Sequence, residues 1–125
     1  MKIPALLLLI ALLSSAPLLA EESSETLIQR AMKLAHKAPK GIAKLGEKIV
    51  DGTASDDEVK KVLEAYLAAA DSKPPKGDAA EFKKRWSTLV AATQDVAAKK
   101  EGAAAAYKEA VACKACHNEH KEQKQ

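Results

Sequence analysis

After Ala20 the sequence has no stretch that alternates in the manner of a β-strand, which points away from sheet-based folds. Cysteine is nearly absent. The two present, Cys113 and Cys116, leave no second pair for a structural zinc site. No cysteine follows the apolar run at the start of the chain, so a lipoprotein anchor is not indicated. That run, Ile3 to Leu13, also falls short of the ~20 residues a membrane-spanning helix needs. A large charge imbalance is missing too. The net charge is +3 and no basic face is clustered, which argues against a nucleic-acid partner.

What is present begins with an export signal. Lys2 precedes the apolar run, then Ser14, Ser15 and Ala16 follow, and Ala20 is a small residue before Glu21. That order reads as a signal peptide over residues 1–20, directing the rest to the periplasm. Leu18 is larger than the residue usual two places before a cut, whereas cleavage after Ala16 would put Pro17 behind it. Residues 21–125 then form one small domain, which loses only the charge of Lys2.

Alanine, lysine and glutamate dominate this domain, and apolar residues recur at helical spacing. The first helix starts near Ser24 and carries Leu27, Ile28, Ala31, Met32 and Ala35. Pro39 and Gly41 interrupt it, and a second piece, Ile42 to Val50, ends at Gly52. Ser55 and Glu58 form a capping box, followed by a stripe through Val59, Val62, Leu63, Tyr66, Leu67 and Ala70. Pro74 and Pro75 mark a loop. Asp78 and Glu81 suggest another box, opening a helix with Phe82, Trp86, Leu89, Val90, Thr93 and Val96 on one side. Gly102 stops it, and a last helix runs from about Ala103 to Lys121. Four amphipathic helices with short links bury their stripes best as an all-α, antiparallel four-helix bundle.

The chemistry lies in Cys113-Lys114-Ala115-Cys116-His117, the C-x-x-C-H haem-attachment signature. Two thiols must reach two vinyl groups of one porphyrin, and the next imidazole must reach the iron. On a helix these side chains fall within an arc of about 100°. Cys113 and Cys116 would become thioethers to one covalent haem c, and His117 the proximal iron ligand. The rival readings are zinc, a disulfide, and a thioredoxin-like dithiol. The dithiol would need a strand before its helix, and none is visible.

A helical chain with this motif close to its end resembles the class II c-type cytochromes, meaning cytochrome c-prime and its low-spin relatives. Trp86 and the alanine-rich stretch leading to Gly102 also look like that family. The Pro74-Pro75 loop resembles the related b-type bundle cytochrome. His120 stands where the family often has an aromatic residue, and Lys121 where it often has arginine.

The resemblance implies a distal residue on the first helix. Met32 is the methionine there, and it is the expected sixth ligand. Alignment by Arg30 would instead put Leu34 at that position and leave the iron open. His36, one turn after Met32, is a further candidate for iron or a propionate. Arg30 resembles the first-helix arginine that meets a propionate. His120 reads as a surface histidine, and Trp86 and Tyr107 as core. Lys108, Lys114, Lys121 and Lys124 would offer a docking patch for an acidic redox partner.

The expected function is electron transfer by a non-enzymatic, exported monohaem cytochrome acting as monomer or homodimer. The alternative is a five-coordinate protein of the cytochrome c-prime kind that binds nitric oxide or other small gases. A peroxidase-like enzyme is the weakest reading, because no distal acid–base pair is evident.

Overall fold

Capping and breaking residues decide where the helices begin and end. The computed structural model describes residues 24–121, which form six α-helices and no strand. These are α1 (Ser24–His36), α2 (Leu45–Asp51), α3 (Asp56–Ala68), α4 (Ala79–Ala97), α5 (Ala103–Val111) and α6 (Cys113–His120). The signal-peptide reading of residues 1–20 lies outside the described residues. Among the described residues no helix is long and apolar enough to cross a membrane.

The proline–glycine interruption yields two separate helices rather than one kinked helix. The Ile42 N–H donates to the Pro39 carbonyl at 3.0 Å, and Gly41 adopts φ +85°. Ile42 is left 62% exposed, and α2 starts at Leu45 behind an extended Lys44, whose N–H donates to Glu47 Oε2 at 3.3 Å. The capping box at the start of α3 is formed. The Glu58 N–H donates to Ser55 Oγ at 3.2 Å, and the Ser55 N–H donates to Glu58 Oε1 at 3.0 Å. Lys48 also reaches both Glu58 oxygens at 2.7 Å and ties α2 to α3. The second expected box differs. Asp78 caps α4 by accepting the Ala80 N–H at 2.9 Å, while Glu81 turns away to Arg85 at 3.2 Å.

α4 packs against both α3 and α5, α3 packs on α1, and α2 fills the space among α1, α3 and α5. The core is built on Ala31 and Ala35 of α1, Val62 and Tyr66 of α3, Phe82 and Trp86 of α4, and Tyr107 of α5. Small α1 residues let α3 approach closely, while aromatic rings fill the middle. Leu67, assigned to the α3 stripe from sequence, is 46% exposed because it lies off the Val59–Val62–Tyr66 face.

The largest departure concerns the last helix. It does not run unbroken from Ala103 to Lys121. Ala112 has φ +24° and ψ +53°, which divides it into α5 and α6. The Cys116 N–H then donates to the Ala112 carbonyl at 3.1 Å and starts the new helix. The break redirects the chain so that α6 lies along α4 and His120 reaches the loop before α4.

Candidate functional site

Three helix faces converge on one cleft of about 910 Å³, toward the upper end of the ~300–1,000 Å³ usual for ligand pockets. α1 supplies Ile28, Met32 and His36, which share a face because they recur every four residues. α4 supplies Phe82, Trp86 and Leu89 at the same kind of spacing. α6 supplies Cys113, Cys116 and His117. The motif and the expected distal residue therefore face one space, although more than eighty residues separate them in sequence.

The two thiols are free, with Cys113 exposed and Cys116 half-buried. Burial pushes the Cys116 thiol above its ordinary range; nearby Arg85 opposes this, and Cys113 and Glu119 reinforce it. His117 is exposed. Partial desolvation, then Lys121, lower its pKa. Its neutral form, the one that can ligate a metal, is accordingly favoured. Among the described residues no three His, Cys, Asp or Glu side chains converge as they would around a bare metal ion.

Met32 is half-buried and lines the cleft, whereas Leu34 is not part of its wall. His36 lines the cleft but its ring is already engaged. Nε2 lies 2.7 Å from the Tyr66 hydroxyl, which in turn lies 2.8 Å from the Tyr107 hydroxyl. The other side of the ring packs on Gly46, where even a Cβ would stand 3.1 Å from Nδ1 and Cε1. Burial first, then His117 and Lys44, hold His36 below its ordinary pKa. Desolvation drives the Tyr66 and Tyr107 phenols upward, so this chain stays protonated at neutral pH.

Trp86 and Tyr107 were expected in the core and are buried there. Trp86 also lines the cleft, and its indole N–H donates to the Tyr66 carbonyl at 2.7 Å. Trp86 meets Phe82 at 5.4 Å between ring centres and Tyr66 at 5.6 Å. This packing gives the cleft a rigid apolar wall.

Arg30 is exposed on α1 and does not line the cleft, whereas Arg85 of α4 does. Arg85 sits 3.2 Å from Glu81 and 3.6 Å from Glu119, so it also bridges α4 to α6. Its sequence signal was the Glu81–Arg85 pair at i, i+4 beside Trp86. His120 is not a surface histidine but is 3% exposed. Its Nδ1 donates to the Lys76 carbonyl at 3.2 Å and its ring meets Phe82 edge-on at 5.4 Å. Nothing local in the sequence announces that contact, because Lys76 is forty-four residues away.

Of the expected docking lysines, Lys108 and Lys114 are exposed and Lys121 lines the cleft; Lys124 lies outside the described residues. Lys33, Lys37 and Lys84 also border the cleft. No protein-family model, curated protein or solved structure matches the chain.

Proposed function

We propose that the protein is an exported, one-haem c-type cytochrome of the class II kind that carries electrons in the periplasm. In this reading the fold is an antiparallel four-helix bundle. The interrupted α1–α2 limb, α3, α4 and the α5–α6 limb are its four members. The observation that carries the proposal is the convergence of Cys113, Cys116, His117 and Met32 on one cleft large enough for a cofactor.

The residues suit haem c. Cys113 and Cys116 are unbridged thiols at the attachment spacing. His117 offers a neutral imidazole, and Met32 a thioether from α1. Bound there, haem c supplies a one-electron ferric–ferrous couple. Phe82, Trp86 and Leu89 give the cleft one apolar wall, which would lower the polarity beside a bound haem and favour the reduced state. His36 is a poor competitor for the iron because Tyr66 holds its Nε2. Lysines at the cleft border would attract an acidic redox partner and speed encounter. No acid–base pair for oxygen–oxygen bond cleavage is assigned, and the protein is read as a carrier rather than an enzyme.

The test is the absorption spectrum of protein expressed with haem-maturation machinery, oxidised and reduced. A low-spin spectrum with the weak sulfur-to-iron charge-transfer band is expected. A high-spin spectrum without that band would remove Met32 from the ligand set and move the reading to gas binding. A chain without covalent haem would overturn both.

A further inference from the structure

The last turn of α6 is tied to α4 and to the loop before it. At the first turn the chain bends at Ala112, with φ +24°. At the last, His120 is 3% exposed, donates from Nδ1 to the Lys76 carbonyl at 3.2 Å, and rests edge-on against Phe82. The next residue of the loop, Gly77, passes so close that a Cβ would stand 2.5 Å from the Glu119 carbonyl oxygen and 2.8 Å from His120 Nδ1. Glu119 adds an ion pair to Arg85 of α4 at 3.6 Å. His120 lies three residues after His117 and four after Cys116, so all three share a helix face. A tilt of the last turn would therefore move Cys116 and His117 with it.

We infer that His120 is a positioning residue: with Gly77 it latches the end of α6 to the loop before α4, and so sets where Cys116 and His117 stand in the cleft. The inference rests on the cytochrome reading above. The latch replaces the tilt control that an unbroken α5–α6 helix would have exerted. Gly77 is required twice over, because its φ is +84° and because no side chain fits beneath Glu119 and His120.

The experiment compares haem-loaded His120→Ala, Gly77→Ala and Gly41→Ala with the wild-type protein. Gly41 is the control, since its φ of +85° matches that of Gly77 but nothing lies within 4 Å of its would-be Cβ. Covalent haem content, the charge-transfer band and the reduction potential are read together with the melting temperature. Shifts of band and potential are expected in His120→Ala and Gly77→Ala. Gly41→Ala should lower the melting temperature while leaving both unmoved. His120→Phe, which keeps the ring contact and loses the hydrogen bond, should fall between wild type and His120→Ala.

A His120→Ala protein with wild-type band and potential overturns the latch. Should His120→Ala fail to yield loaded protein, Gly77→Ala decides on the same criterion. Loss of haem attachment in those two variants but not in Gly41→Ala supports the latch. Loss in all three overturns it, because backbone strain alone would then suffice. Absence of covalent haem from the wild type instead removes the underlying reading, and the latch with it.

Discussion

The Tyr66 hydroxyl is the most consequential polar group in the core. It lies 2.7 Å from His36 Nε2 and 2.8 Å from the Tyr107 hydroxyl, and the two tyrosines are 0% and 1% exposed. Tyr66→Phe removes one oxygen and with it both bonds. Each bond contributes roughly 0.5–1.5 kcal/mol net, and stranding the buried Tyr107 hydroxyl adds about 1–3 kcal/mol. His36 is only half-buried and can recover a water, so its share is the smaller. The expected loss is roughly 2–4 kcal/mol. Tyr107→Phe should cost only about 1 kcal/mol, since Tyr66 keeps its bond to His36. In the double variant no hydroxyl is stranded, so adding Tyr107→Phe to Tyr66→Phe should recover roughly 1–3 kcal/mol instead of adding a loss. Urea unfolding of the four proteins, followed by far-ultraviolet circular dichroism, measures the cycle. Additive single losses, or a Tyr66→Phe no worse than Tyr107→Phe, would refute the linked chain.

Met32→Ala should abolish the sulfur-to-iron band and allow carbon monoxide to bind the reduced protein rapidly; an unchanged spectrum would take Met32 off the ligand list. Ser55→Ala removes the acceptor of the Glu58 N–H at the start of α3 and should cost about 1 kcal/mol in thermal unfolding. Gly102→Ala places a side chain at φ +76° with open space around it, so only backbone strain acts, and a loss of about 1–2 kcal/mol is expected. His36 is held below its ordinary 6.5 by burial, His117 and Lys44, so the unfolded chain takes up the proton first. Its contribution to stability is complete above about pH 6.5 and is lost as pH falls toward the depressed folded value. Urea midpoints on either side of that pH should differ less in His36→Gln than in wild type, and equal differences would refute the assignment.

Much of this protein was legible in one dimension because it rests on short-range chemistry. Helical periodicity, the Ser55–Glu58 box and the stop at Gly52 each involve residues within a turn of one another. The Cys113–Cys116–His117 motif is just as local, so its face could be named from spacing. The break at Ala112 was not legible, because alanine is a good helix former and nothing nearby forbids an unbroken run. Only tertiary packing decided which residues share the cleft. The exposed face of α1 took Arg30 away from it, and α4 brought Arg85 to it. Tyr66, thirty residues along the chain, tied up His36. His120 went inward because Lys76 and Phe82 meet it there. Local interactions chose the helices and the motif, while contacts between distant helices chose which side chains stand beside it.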